Sequence, residues 1–377
     1  MIAVLLFVII NSIRSERSYI EMHAALKNRI ESYFEDLPFA PHMRQAHYMY
    51  LRATNRHHFN EVTTLTDGRL LMDNLEPHFF LYERANGIIA LGDYLYRNDM
   101  PFLYVQVPSK LEDNSVLPLA FSDNQSIEYS NRLRELIADA GIDTFDMREA
   151  MIQQGMDFTT AFFRMDHHWT AETAIWASRT IGEQVNELYD LGIDTGVWDF
   201  SNFESVTFEN AFQGSEITSL HGYHIFEDIT AFFPNFQTDI ELRSWGYDPI
   251  ATGDFIDVFI PRLRNEGAEN IVYFDYGDMT LPIYPFMRIT NNLVNNDRSI
   301  LLIVESNGLL LAPFMALDFE TVYVVYLIYE VTPNNLWYAL DMFDYDAVVM
   351  AVSDVVVAHR SLDYFFRDRL FLGYPPN

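Results

Sequence analysis

The chain has 377 residues, of which 49% are apolar and 15% aromatic, and its 54 acidic and 24 basic side chains leave a formal net charge of -30. That apolar content supports a sizeable core and argues against a disordered chain, while the dispersed negative field repels nucleic acid and anionic lipid and favours neutral sugars, cations or basic surfaces. The absence of cysteine excludes disulfides, thiolate zinc sites and cysteine nucleophiles, and fits an extracytoplasmic bacterial protein.

The first element is the apolar run Ile2–Ile10, followed by Asn11, Ser12, Arg14 and Arg17. It is far shorter than the roughly 20 residues a spanning helix needs. No basic stretch precedes it and no small-residue cleavage site follows it. Residues 1–12 therefore read as the tail of a membrane anchor whose start is missing from this chain, with an ordinary buried helix as the alternative. Residues 13–60 read as a polar, mostly helical segment with interleaved aromatics such as Tyr19, Tyr33 and Tyr48.

From about residue 66 an α/β rhythm begins. Thr66-Asp67-Gly68 is a turn signal before the short apolar run Leu70–Met72. The spacing of Ile88, Ile89, Leu91 and Leu95 predicts a helix over 83–98. Phe102–Val107 reads as a buried strand ended by Pro108, Ser126–Ala140 as a helix ended by Gly141, and Asp143–Met147 as a short strand. Thr170 is a candidate N-cap for a helix reaching about Leu188.

Residues 190–285 are aromatic and loop-rich, and their pattern places no strands. The rhythm returns with a strand over Ile300–Val304, a helix over Gly308–Leu317 and a strand over Val322–Ile328. A helix over Asn334–Phe343 and a strand over Ala347–Val352 follow. Continuous apolar strands alternating with helices predict a mostly parallel sheet covered on both faces.

Within this frame, Asp166-His167-His168-Trp169-Thr170 stands out. In an extended segment, residues two apart share a side, so Asp166 is expected to lie beside His168, set its tautomer and stabilise its charged form. His167 is then expected to point away. A surface turn with a helix cap is the bland alternative, and a metal site is another, although a zinc or manganese site needs further clustered ligands.

Ser306 directly follows the Ile300–Val304 strand and precedes a helix, the position where open α/β sheets place their sites. Backbone N–H groups at Ser306 and Asn307 are expected to hold a developing oxyanion, and Gly308 to permit close backbone approach. Ser109, Ser215 and Ser353 compete for the nucleophile's role, and a serine after a strand is commonly a plain helix cap. Lys110, one of two lysines with Lys27, follows a strand end and is expected at the site rim. Trp169 is expected at the same site, packed beneath the histidine.

The run Arg164–Thr170 resembles the signature of the DHHW proteins, relatives of the periplasmic alginate O-acetylation proteins, whose domain is SGNH hydrolase-like. Val107-Pro108-Ser109-Lys110 resembles the family's P-x-K element, and Phe212-Gln213-Gly214-Ser215 its aromatic-x-Gly-Ser segment. Ile289-Thr290-Asn291 resembles its I-x-N element, Ile300–Ser306 its strand and nucleophile block, and Leu311–Ala316 its P-F-L stretch. Three positions depart from the pattern. Glu305 replaces an aspartate, Asn307 replaces an aromatic, and Tyr326-Leu327-Ile328-Tyr329 stands where the family has D-x-R-Y.

The resemblance implies a three-layer α/β/α SGNH-like domain over 61–377, with a loop-rich insertion near 190–285. It also implies a triad of Asp166, His168 and Ser306, and brings Asn291 into the candidate site with Lys110, Asn307 and Trp169. The implied function is extracytoplasmic O-acetyl transfer to a cell-surface polysaccharide, supplied by a membrane-bound O-acyltransferase, with no metal or cofactor. A carbohydrate acetylesterase using the same triad is the alternative, and a glycan-binding protein on a decayed fold is a third.

Overall fold

A strand covered by helices on both faces has no polar side to show, which is why the continuous apolar runs become the middle of one sheet. The structure, a computed structural model, describes residues 62–72, 80–119, 125–220, 225–244, 249–282, 284–327 and 333–354, with residue 357 and isolated positions from 43 to 59. The anchor expected over 1–12 lies outside the described residues, as does most of the 13–60 segment. No described helix is long and apolar enough to cross a membrane.

The strands in chain order are β1 (His58–Phe59), β2 (Val62–Thr64), β3 (Leu70–Met72), β4 (Phe102–Val107), β5 (Asp143–Asp146), β6 (Phe203–Phe212) and β7 (Glu227–Pro234). They continue as β8 (Ile240–Ser244), β9 (Pro249–Gly253), β10 (Phe286–Asn291), β11 (Ser299–Val304), β12 (Thr321–Tyr326) and β13 (Ala347–Ser353). Eight of them form the central sheet in the order β5-β4-β13-β11-β12-β10-β8-β9. The β5-to-β12 half is parallel throughout, and β10, β8 and β9 each run antiparallel to the preceding neighbour.

Strand alternation divides the core into two layers. Leu103, Val105, Ile300, Leu302 and Val304 face the layer holding helix Ala171–Tyr189 and helix Leu311–Met315. Tyr104, Leu301, Ile303 and Met350 face the layer holding helices Leu81–Arg97, Ser126–Asp139 and Pro333–Met342. The result is the three-layer α/β/α arrangement.

The stretch 190–285 contains more order than its sequence shows. It supplies the β6–β7 hairpin and the strands β8 and β9 that extend the central sheet. In β6 exposed and buried positions do not alternate cleanly, and in β9 no position is buried, so neither carries the period-two apolar signal that marks a strand.

Candidate active site

Ser306 follows β11 directly, at the carboxyl end of the parallel strands, and starts the short helix Ser306–Leu309. Gly308 permits that turn: a Cβ there would stand 2.3 Å from Val304 Cβ. The Asp-His run arrives from another direction, ahead of helix Ala171–Tyr189, whose N-cap Thr170 accepts from Thr173 N. The two segments meet where Trp169 N donates to Asn307 Oδ1 at 3.2 Å, across 138 positions of sequence.

Asp166 and His168 are paired, but not by the extended geometry expected of them. Asp166 Oδ1 accepts the His168 backbone N–H at 3.0 Å, an Asx turn, and the same oxygen accepts His168 Nδ1 at 2.5 Å. Asp166 Oδ2 accepts from Ser215 N at 2.7 Å and from Ser215 Oγ at 2.8 Å. Burial alone would raise the Asp166 carboxyl, but the two histidines and these hydrogen bonds hold it well below the usual carboxylate range. A carboxylate only accepts, so Nδ1 of His168 carries the proton and Nε2 is left as the acceptor. Nε2 is buried and has no hydrogen-bond partner among the described residues.

The bend corrects the placement of His167. Instead of pointing away, its ring lies 3.9 Å from the His168 ring, and its Nδ1 is 3.2 Å from Ser215 Oγ. The single Ser215 hydroxyl proton already goes to Asp166, so His167 Nδ1 is the donor. Burial, and then the neighbouring His168 ring, lowers the His167 pKa to about 3, which keeps it neutral. On its other face His168 stacks on Tyr276, 4.0 Å away and inclined by 15°. Burial first, then the charges of Glu305 and Asp166, push the Tyr276 phenol well up, so it stays protonated.

Three further sequence expectations are corrected. Lys110 is not on a rim. It is 1% exposed, and its Nζ donates to the buried Glu216 Oε2 at 2.6 Å, while Glu216 Oε1 accepts Met72 N. Trp169 is packed, as expected, but at 0% exposure it belongs to the core and not to a substrate site, since no polysaccharide reaches it there. Asn291 lies at the wrong end of the sheet: Thr290 pairs with Thr321, which pairs with Ser299 at the start of β11. At about 3.3 Å per residue that puts it roughly 20 Å from Ser306. There its Nδ2 donates to Ala316 O and its Oδ1 accepts Leu293 N, a loop-fastening role.

Asn307 is at the site but buried, and its side chain fastens the histidine segment. Of the competing serines, Ser109 donates to Asp354 Oδ2, Ser353 is buried at the end of β13, and Ser215 supports Asp166. Ser306 is partly exposed, and its Oγ donates to Glu305 Oε2 at 3.1 Å rather than to His168. Without substrate such contacts are commonly loose.

Sequence reading missed Tyr276, which sits in the stretch without a pattern, and Glu216, whose neighbours signal nothing about burial. Gly214 and Ser215 were visible as a segment, Ser215 only as a competing nucleophile and Gly214 without a role. A Cβ on Gly214 would stand 2.0 Å from Met165 O, so only glycine lets Ser215 reach Asp166. Gly214→Ala is expected to cost about 1–3 kcal/mol of stability through overpacking and to weaken the Asp166–His168 pair. Thermal melts together with acylation rates measure both.

Asp166, His167 and His168 also offer ligand atoms within 4.8 Å of one another. Three donors are one short of a closed zinc site, and the Asp166–His168 bond already engages two of them. The donor set fits a proton-transfer pair better than a metal centre.

This architecture is an SGNH hydrolase-like domain with an Asp-His pair at the carboxyl end of its parallel strands. Residues 80–199 match the family profile described as the SGNH hydrolase-like domain of the acetyltransferase AlgX. Among solved structures, Bacillus cereus PatB1 with a sulfonyl adduct is similar at TM-score 0.63 and 16% identity, over 83% of this chain and 98% of that one. A DHHW family protein from Eubacterium siraeum is similar at TM-score 0.56 and 13% identity, over 82% of this chain and 96% of that one. The O-acetyltransferase domain of Pseudomonas putida AlgJ matches at TM-score 0.48 and 14% identity, over 84% and 95%. No curated protein sequence matches the chain. The likeness to the AlgX domain is thus one of sequence, over residues 80–199, and the likeness to the DHHW family protein is one of fold.

Proposed function

We propose that the protein is an extracytoplasmic O-acetyltransferase that acetylates a cell-surface polysaccharide through an acyl-enzyme on Ser306. The observation that carries this reading is the short Asp166–His168 bond, which leaves His168 Nε2 as a buried, unpartnered acceptor on the segment tied to the Ser306 turn. In the first half-reaction His168 Nε2 takes the Ser306 proton and Oγ bonds to the acetyl carbon. The bond to the donor's leaving group breaks, and the proton follows that group. In the second, a sugar hydroxyl gives its proton to His168 and its oxygen bonds to the acetyl carbon, the bond from that carbon to Ser306 Oγ breaks, and His168 returns the proton to Oγ. Asp166 orients the imidazole and stabilises its charged form, and Ser215 holds Asp166.

An acetyltransferase profile over 80–199 supports the reaction class. The net charge of -30 supports a neutral glycan acceptor. The apolar run Ile2–Ile10 and the lack of cysteine support the setting outside the cytoplasm, where a membrane-bound O-acyltransferase would supply the acetyl group. The test is covalent labelling with p-nitrophenyl acetate and with a sulfonyl fluoride, read by intact mass. Wild type is expected to gain one group that Ser306→Ala lacks. Equal labelling of the two proteins would remove the serine mechanism. Transfer of the acetyl to added oligosaccharide, rather than release as acetate, separates transferase from esterase.

A further inference from the structure

Glu305 is a buried carboxylate that the mechanism above does not use. It is 1% exposed, and one of its oxygens, Oε2, does two things at once. It accepts the Ser306 hydroxyl proton at 3.1 Å and the Asn307 backbone N–H at 3.0 Å. Those are the proton His168 must take and the donor best placed, one residue past the nucleophile, to hold an oxyanion. An acceptor oxygen near the serine Oγ and bonded to that N–H stands where the oxygen of a tetrahedral intermediate would stand. It also carries the same sign of charge. Meanwhile Glu305 Oε1 and His168 Nε2 are both buried and have no hydrogen-bond partner among the described residues. The Ser306 hydroxyl and the Asn307 N–H are thus engaged by one carboxylate oxygen in a way that excludes the reaction.

We propose that Glu305 is a positioning residue that holds Ser306 in a capped resting state, and that acylation requires its carboxylate to release the serine hydroxyl and the Asn307 N–H. This deepens the acyl-transfer reading of the same site and rests on it. The plain alternative is a helix cap, since Glu305 is also the N-cap of Ser306–Leu309. The two differ in their dependence on charge. A cap needs only an acceptor, whereas a competitor for the oxyanion position acts most strongly when ionised.

Burial raises the Glu305 carboxyl above its ordinary value, against the Asn307 N–H and the neighbouring His168, so it releases its proton later than a surface glutamate. The other titratable groups facing this corner are His168 and Asp166 from the Asx turn, Tyr276, and Tyr326 at the end of β12. They are present in both proteins of the comparison below, so a ratio of rates isolates Glu305.

The experiment measures acylation by p-nitrophenyl acetate in wild type and Glu305→Gln from pH 4.5 to pH 8, with intact mass confirming the site of the acetyl. In each, the Ser306 Oγ–carbon bond forms, the bond to nitrophenolate breaks, and the serine proton passes to His168. Glutamine keeps an acceptor for Asn307 N–H but never ionises. The variant is expected to acylate about tenfold faster than wild type at pH 8, and the ratio to fall towards one as the pH is lowered and the wild-type Glu305 carboxylate takes up its proton. A ratio at or below one at pH 8 would overturn the proposal. It would mean that Glu305 only caps the helix or assists by favouring the imidazolium. Should Glu305→Gln lack a cooperative melt, Glu305→Ser takes its place, because serine is a good helix cap without charge. Failure of both proteins to acquire an acetyl on Ser306 would instead overturn the acyl-transfer reading itself.

Discussion

Replacing His168 with alanine is expected to lower Ser306 acylation by about ten-thousandfold or more, close to the effect of Ser306→Ala, because base and nucleophile act as one unit. The geometry makes the prediction specific to one of two adjacent histidines. His168 Nδ1 is fixed by Asp166, so its Nε2 is the acceptor left for a proton, whereas His167 spends its Nδ1 on Ser215. His167→Ala removes one hydrogen bond, worth about 1 kcal/mol, and packing against the His168 ring. Its acylation rate should therefore stay within about tenfold of wild type while its melting temperature falls. Stopped-flow release of nitrophenolate gives the rates. A His168→Ala protein that acylates as fast as wild type, beside an inactive His167→Ala, would assign the base to the other ring.

The largest expected effect on stability comes from Lys110→Met. Burial pushes the Glu216 carboxyl up to about 7 even with the Lys110 ammonium 2.6 Å away. Removing the ammonium leaves Glu216, 0% exposed, without its compensating charge, a change that typically costs about 3–5 kcal/mol. For a domain of this size the melting temperature should drop by roughly 10 °C. The sign of the pH dependence follows from the raised pKa. The folded state then binds a proton that the unfolded state has released, so stability falls as pH rises from about 4.5 through the folded value. With the lysine gone that folded value moves higher, and the loss should be larger at pH 8 than at pH 5. Lys110→Met combined with Glu216→Gln should recover much of it, because the amide oxygen can still accept Met72 N–H without a buried charge. Calorimetry of the single and double variants decides. A Lys110→Met protein as stable as wild type would show the pair to be solvated.

Both predictions concern residues that the sequence displayed, yet only one of the two was legible in it. The Asp166–His168 pairing spans two positions, so any backbone that bends or extends there brings the groups together. The position of Ser306 followed from the apolar run before it, since a buried strand and the turn that ends it are local signals. For the same reason Phe102–Val107, Ser299–Val304 and Ala347–Ser353 fall within a residue or so of where their composition puts them.

Lys110 shows the other case. A lysine after a strand reads as exposed, because nothing nearby in sequence announces the partner that allows its burial, and that partner is 106 positions away. Ser215 reaches Asp166 across 49 positions, and only because the Gly214 backbone lies against Met165 O. Asn291 looked like a site residue by its motif, and the antiparallel entry of β10 set it at the opposite end of the sheet. Strand direction is a property of the whole sheet and leaves no mark on six residues.

By itself the sequence determined the parallel core, the end of the sheet that carries Ser306, and the aspartate that pairs with His168, because each depends on residues a few positions apart. Tertiary structure alone decided what surrounds them. It placed Tyr276 against the imidazole, Lys110 on the buried Glu216, and the Glu305 carboxylate on Ser306 and Asn307. These depend on which distant surfaces are driven out of water together, and on which side-chain conformations the resulting packing leaves open, neither of which a local pattern encodes.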